Sequence, residues 1–290
     1  MSTPPRISIV TPSYGQLDWL RLAVASVADQ TGVTVEHIVQ DAGTQGIEDS
    51  LPSSRAADDA RYSMKLFVEK DRGMYDAINQ GLSKASGDIC AYLNCDEQFL
   101  PGALERVASF FDAHQDVEVL FGDAILIDNK GNPISYRRIV LPTLSHVRHV
   151  HLNTQSCSMF FRRSLIDRGF FFDSKWKAIG DQVWIEQLLL SDIRMATLKE
   201  PLAVFTFTGQ NLGATSASEE ETVRYRGRMP AMTRLQKAAT VILHRCRKFL
   251  AGAYRSREIQ IDIYTPGPPL IRQRRHRRIG FSWPNDSRGG

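Results

Sequence analysis

Cysteine is scarce in this 290-residue chain. Cys90, Cys95, Cys157 and Cys246 are the four present, and no two stand in CxxC spacing. That argues against a disulfide scaffold and a cysteine-built metal site, and reduced thiols in a cytoplasmic protein are the simplest reading. Long apolar runs are also missing. None approaches the roughly 20 residues that span a bilayer, and Met1 to Arg6 leads into a strand-like run with no apolar signal segment. At 42% hydrophobic and 23% charged residues the remaining composition is that of a soluble globular protein.

The charge is unevenly placed. Residues 1–223 carry 20 Lys/Arg and 29 Asp/Glu, a balance of −9, whereas residues 224–280 carry 15 and 2, a balance of +13. An acidic body thus precedes a basic tail section. Such asymmetry suits a polyanionic partner, either nucleic acid or an anionic membrane surface.

Along the first half, strand and helix patterns alternate. Arg6 to Thr11 reads as a strand, Pro12 to Gly15 as a turn, and Leu17 to Gln30 as a helix with Leu20, Val24 and Val27 on one face. A strand over 35–41, a helix over 47–60 and a strand over 64–69 follow. Then come a helix over 74–85, a strand over 88–93 and a helix opening at Pro101. This order implies an α/β fold with a mostly parallel, Rossmann-like sheet flanked by helices. Ligands of such sheets bind beyond the carboxyl ends of the strands. Thr11 to Tyr14, Asp41, Asp71 to Gly73 and Asn94 to Glu97 all fall at those ends. Further on, the stretch 117–140 reads as strand-like, most clearly at 119–121 and 124–127, with a turn at 129–132. A strand over 155–161, a short helix over 162–168 and a longer one over 181–191 complete this part.

The stretch Leu93-Asn94-Cys95-Asp96-Glu97 is the most informative. Adjacent carboxylates at the end of a buried strand are costly unless a positive charge joins them. Oxygen donors of this kind suit Mg²⁺ or Mn²⁺, ions that commonly arrive bridging substrate phosphates.

With its neighbours the stretch resembles the family-2 glycosyltransferases of the GT-A fold, from about Arg6 to Phe207. The motifs are Ser8-Ile9-Val10-Thr11-Pro12-Ser13-Tyr14, Ile38 to Thr44, Asp71-Arg72-Gly73-Met74-Tyr75-Asp76-Ala77-Ile78-Asn79-Gln80-Gly81, Leu93 to Glu97 with Leu100 to Leu104, and Phe160-Phe161-Arg162-Arg163-Ser164-Leu165. The resemblance implies a GT-A catalytic domain over 1–218, divided into a nucleotide-sugar donor half (1–115) and an acceptor half (116–218). A basic extension with an amphipathic helix and a short β element would occupy 219–290. It implies inverting transfer of a sugar from a nucleotide-diphosphate donor to a glycan or lipid-linked acceptor, with Mg²⁺ or Mn²⁺ as cofactor. Thr11, Pro12, Ser13, Tyr14, Asp41, Asp71, Arg72, Gly73, Asn94 and Cys95 then fall on the donor, with Arg72 as a cation near the diphosphate. Asp96 and Glu97 fall on the metal, and Asp181 stands where relatives carry the base. Asn94 replaces the first aspartate of a common DxD signature, and Gly180 replaces the glutamate that often precedes the base. Gln155 and Ser156 align loosely with a polar pair facing the acceptor.

Several residues have a plainer reading. Asp41 suits a tight turn before Ala-Gly, Asp181 suits a helix cap, Trp184 suits the core as well as an acceptor pocket, and Cys95 suits small filler. His146, His149 and His151 read as a loop rather than a zinc site.

In the tail, residues 231–254 place Leu235, Ala239, Ile242, Leu243, Cys246, Phe249, Leu250 and Ala253 on one side of a helix. Arg234, Lys237, His244, Arg245, Arg247 and Lys248 take the other. Such a helix can lie on an anionic membrane at the inner face of the cell, or pack its apolar side on the catalytic domain. A strand over 258–264 follows, then an arginine cluster over 272–278, with Arg278 to Phe281 as a candidate partner strand. Nucleic acid is not expected, because no recognition motif accompanies the arginines. Two other functions stay open: a nucleotidyltransferase, though Thr11 to Gly15 is no glycine-rich triphosphate loop, and a non-catalytic scaffold on a decayed transferase fold.

Overall fold

The run 7–13 offers water no polar face: Ile7, Ile9 and Val10 are fully buried, and so are Ser8 and Thr11. A strand buried on both sides belongs in the middle of a helix-covered sheet. A computed structural model, which describes residues 6–51, 61–209, 211 and 215–283, places it there. β1 (Arg6–Ser13) is followed by α1 (Leu17–Ala28), β2 (Thr34–Asp41), the single turn α2 (Ile47–Ser50), β3 (Tyr62–Val68), α3 (Met74–Lys84) and β4 (Ile89–Tyr92). Leu20, Val24 and Val27 are the buried face of α1, as their spacing implies. Of the helix expected over 47–60, positions 52–60 lie outside the described residues.

The strands of this half pair in parallel in the order β3-β2-β1-β4. Beyond β4 the sheet becomes mixed. The next elements are β5 (Glu97–Phe99), α4 (Ala103–Ala113), β6 (Val119–Asp128), β7 (Pro133–Arg137), α5 (Leu144–His149) and β8 (Met159–Arg162). Then follow α6 (Ser164–Asp167), α7 (Gly180–Leu190), β9 (Met195–Phe207) and α8 (Ser216–Arg226). β8 lies antiparallel between β4 and β6, β9 runs parallel to β6, and β5 returns antiparallel on β9. The strand-like stretch 117–140 holds β6 and β7, and 119–121 and 124–127 lie together on β6. Gly122 joins them because a side chain there would strike Leu202, with a Cβ only 2.3 Å from its Cδ1. Of the strand expected over 155–161, only residues 159–161 belong to a strand, the start of β8. Ser156–Ser158 form a 3-10 turn, with Ser158 Oγ donating to the Gly122 carbonyl at 2.9 Å.

The basic section begins with α9 (Arg234–Leu250), opened by a capping box between Thr233 and Gln236. β10 (Arg257–Tyr264) and β11 (Arg272–Ile279) then form an antiparallel hairpin. The partner strand is the arginine cluster itself rather than a run beginning at Arg278. Alternation explains the docking: Ile259, Ile261 and Ile263 share a core with Ile125, Ile127, Tyr136 and Val204 of the main sheet. The arginines are largely engaged within the fold. Arg272 holds Asp29 at 2.7 Å, Arg274 pairs with Asp262 at 3.0 Å, and Arg277 donates to the Pro133 carbonyl at 3.2 Å. Among the described residues no helix is long and apolar enough to cross a membrane.

Candidate active site

The parallel half ends its strands along one edge, and the loops there wall a cleft of about 1550 Å³. Pro12 and Ser13 end β1 and Tyr14 follows it, Ala42 follows β2, Lys70, Asp71 and Gly73 follow β3, and Asn94, Cys95 and Asp96 follow β4. Gln155, Ser156 and Asp181 line the cleft as well. Tyr14 stands 72% exposed at the mouth, an aromatic face open to a planar ligand.

The turn after β4 carries the acidic pair. Its backbone closes from Glu97 N to the Asn94 carbonyl at 3.1 Å, and the Glu97 carboxylate accepts from Asn94 N at 2.9 Å. Glu97 is fully buried, lies behind the turn and does not line the cleft, while Asp96 does. Burial pushes both carboxyls upward, and the Asp96 charge pushes Glu97 further. No described Lys or Arg pairs with either acid. Asp96 accepts instead from Asn211 Nδ2 at 3.1 Å. Beside it Asn94 Oδ1 is buried with no partner. An unneutralised carboxylate and an orphaned amide oxygen are hard donors, and they fit a divalent cation. Among the described residues no three His, Cys, Asp or Glu gather to hold one by themselves. A cation there would complete its shell from phosphate oxygens and water.

Other residues are placed as follows. Asp41 is buried and accepts from Gly43 N, Thr44 N and Thr44 Oγ1 at 2.6–2.8 Å, so its carboxylate shapes the turn above the cleft. Thr11 lies beneath the lining and bonds His37 Nε2 at 2.9 Å. Asp71 accepts from Gly73 N at 2.7 Å, and Gly73 opens α3 at φ 121°, where a side chain would be strained. Arg72 is not brought to the cleft: it turns outward onto Asp76 at 2.8 Å and is 77% exposed on its side chain. Among the described lining residues the cation is Lys70. The Cys95 thiol donates to the Pro12 carbonyl at 3.1 Å, and burial raises it to about 12, which leaves it unreactive.

Asp181 occupies the first turn of α7, hemmed in at the cleft wall. Tyr75 Oη donates to its carboxylate at 3.2 Å and Gln182 N at 2.8 Å, yet burial still holds its proton affinity above the usual carboxylate range. The glycine before it now has a reason. A Cβ on Gly180 would sit 2.6 Å from the Tyr75 ring, which is buried and stacked on Phe172 at 5.6 Å. Gly180 therefore makes room for the tyrosine that reaches Asp181. Trp184 belongs to the core rather than an acceptor pocket: it is 1% exposed, and its Nε1 donates to the Phe170 carbonyl. His146 stacks on His244 of α9 with ring centres 3.8 Å apart, and His151 meets both rings edge-on.

Sequence reasoning missed Lys70, Asn211, Phe205, Phe207 and Trp283, all on the cleft lining. Trp283 arrives from beyond β11, packs on Phe207 at 5.3 Å and lies under the Arg137 guanidinium. No local pattern marks Asn211 or Trp283, because each reaches the cleft only through long-range folding.

Comparison with known proteins agrees with this geometry. The profile of glycosyl transferase family 2 matches residues 8–169. An uncharacterized glycosyltransferase of Nostoc sp. is 27% identical over 229 residues, 74% of this chain and 70% of that protein. The putative teichuronic acid biosynthesis glycosyltransferase TuaG of Bacillus subtilis is 32% identical over 107 residues, 37% of this chain and 42% of that protein. The GalNAc(5)-diNAcBac-PP-undecaprenol beta-1,3-glucosyltransferase of Campylobacter jejuni is 28% identical over 128 residues, 44% of this chain and 40% of that protein. Among solved structures, S. aureus TarS 1-349 in complex with UDP-GlcNAc superposes with a TM-score of 0.62 at 17% identity, over 84% of this chain and 73% of that one. The mannosyltransferase PcManGT of Pyrobaculum calidifontis, in complex with GDP-Man and Mn²⁺, gives 0.59 at 15% identity, over 86% and 72%. A sheet that is parallel up to β4 and mixed beyond it is therefore the GT-A arrangement, and with more than half of its length matched the chain belongs to glycosyl transferase family 2.

Proposed function

We propose that the protein is an inverting, metal-dependent glycosyltransferase acting on the cytoplasmic side of the cell membrane. It moves a sugar from a nucleotide-diphosphate donor to a hydroxyl of a lipid-linked or growing surface polysaccharide. One observation carries the reading: an unneutralised carboxylate, Asp96, and a carboxylate of raised proton affinity, Asp181, open on one cleft. Support for the acceptor class comes from the Campylobacter and Bacillus relatives, whose names speak of an undecaprenol-linked glycan and teichuronic acid.

In this reading Tyr14 stacks on the base, and Pro12, Ser13 and the turn held by Asp41 enclose the nucleoside. Lys70, Asp71 and Gly73 flank the diphosphate, with Asn94 and Cys95 on its other side. Mg²⁺ or Mn²⁺ held by Asp96, with Asn94 Oδ1 at hand, would offset the charge that grows on the leaving diphosphate. Glu97 keeps the turn in shape from behind. Asp181 takes the proton of the acceptor hydroxyl as its oxygen bonds the anomeric carbon. The bond from that carbon to the diphosphate oxygen breaks on the opposite face, and the configuration inverts. The basic extension over 219–290 completes the cleft through Trp283, and no nucleic acid takes part.

The test is a thermal-shift screen of UDP-, GDP-, CMP- and dTDP-sugars with and without Mn²⁺. A donor at a hundredfold excess over its Kd adds about 2.7 kcal/mol of apparent stability. The reading expects a metal-dependent shift with one nucleotide class, lost in Asp96→Ala and kept in Asp181→Asn, which abolishes transfer alone. A folded wild type that no donor stabilises would instead favour the non-catalytic scaffold.

A further inference from the structure

Burial along α9 runs opposite to its amphipathicity. The helix meets α5 with its polar side: Thr240 shares a 2.8 Å bond with Ser145, His244 stacks on His146, and Arg247 donates to the Leu141 carbonyl at 2.9 Å. These contacts fix its rotation. Leu235, Ile242, Leu243, Phe249 and Leu250 consequently point away from the protein, each 60–83% exposed. In a soluble protein such a row normally faces the core, and a contiguous exposed apolar strip of this kind marks an interaction surface.

Charge selects the partner. Between Thr222 and Arg257 the chain has ten Arg/Lys and no Asp or Glu. A second copy docked on the same face would bring two such sets together. An anionic bilayer offers opposite charge at its headgroups and an apolar layer just beneath, the two requirements in the right order. With 17 residues, α9 lies about 26 Å along a surface, and it is too polar on its inner side to insert upright.

We propose that α9 docks the protein on anionic membrane. Leu235, Ile242, Leu243, Phe249 and Leu250 enter the headgroup–acyl boundary, and flanking side chains such as Arg234 and Arg245 meet lipid phosphates. The inference stands apart from the transferase reading, because it needs neither donor nor acceptor.

Flotation of the full chain with vesicles tests it. At about 50 mM salt the protein should float with phosphatidylglycerol-containing vesicles and bind pure phosphatidylcholine at least about tenfold more weakly. About 500 mM salt should release it. The double variant Leu243→Ser with Leu250→Ser should lose about tenfold or more of the binding at an unchanged melting temperature, since both side chains are already in water. The proposal is overturned if the wild type ignores anionic vesicles at low salt, binds both lipids equally, or is indifferent to the serine substitutions. It is equally overturned if the wild type sediments as a dimer that those serines dissolve, for then the face belongs to a second copy.

Discussion

Deleting one oxygen atom, in Tyr75→Phe, should change how Asp181 responds to pH while leaving the cleft intact. The Asp181 carboxylate has two donors, Tyr75 Oη at 3.2 Å and Gln182 N at 2.8 Å. Both favour its ionised form against a burial that favours the protonated one. A hydrogen bond to a charged group is worth roughly 1.5–3 kcal/mol, and at 3.2 Å the low end applies. Losing about 1.5 kcal/mol lowers the ionised fraction about tenfold wherever the group is mostly protonated. A general base works only when ionised, so the acid limb of kcat/KM should move toward neutral pH. On that limb Tyr75→Phe should run about tenfold slower, while the high-pH plateau stays within a fewfold of wild type. The ring and its stacking on Phe172 remain, so donor binding followed by thermal shift should not change. An acid limb that stays in place, or moves to lower pH, would refute both the base assignment and the bond that tunes it.

Two further outcomes follow from side chains in close contact. Gly180→Ala should destabilise the protein by about 1–3 kcal/mol, because its Cβ would overlap the Tyr75 ring. In a Tyr75→Ala background that penalty should largely vanish in urea melts, and additive losses would sink the explanation. His37 is wholly buried, and desolvation holds it down at about 3, below its ordinary 6.5. Between those values the unfolded chain binds the extra proton, so stability present above pH 6.5 is lost as pH falls toward 3. At pH 4.5 the loss from this one group is roughly 3 kcal/mol. His37→Gln should therefore flatten the acid side of a stability–pH profile, and an unaltered profile would contradict the argument.

The half of the fold that could be read in the sequence is the half whose contacts are nearest in sequence. Alternating βα units fix β1 to β4 and bring their carboxyl ends together, so Ser13, Tyr14, Asp71, Asn94 and Asp96 emerge from pattern and motif alone. β5 was missed because three residues carry no periodicity. β9 was missed because its middle, Lys199 and Glu200, is exposed and polar. Position along a motif also does not determine where a side chain points. Arg72 belongs to a motif that crosses the cleft, yet Asp76 one turn later draws it outward. The amphipathic pattern of α9 was legible, but its rotation was not. Helix periodicity shows that an apolar face exists, and only the contacts of His244 and Thr240 decide which way it looks.

Trp283 gives the cleft a wall supplied from outside the family-matched region, and this bears on the order in which the molecule is made. A ribosome has synthesised the cleft residues from Pro12 to Asp96 long before the hairpin of β10 and β11 exists. Until then Ile125, Ile127 and Val204 lack the isoleucines that cover them. A nascent chain therefore holds one edge of its cleft early and the finished pocket late. Ending the chain before β10 would leave Ile125, Ile127 and Val204 uncovered and the cleft without Trp283.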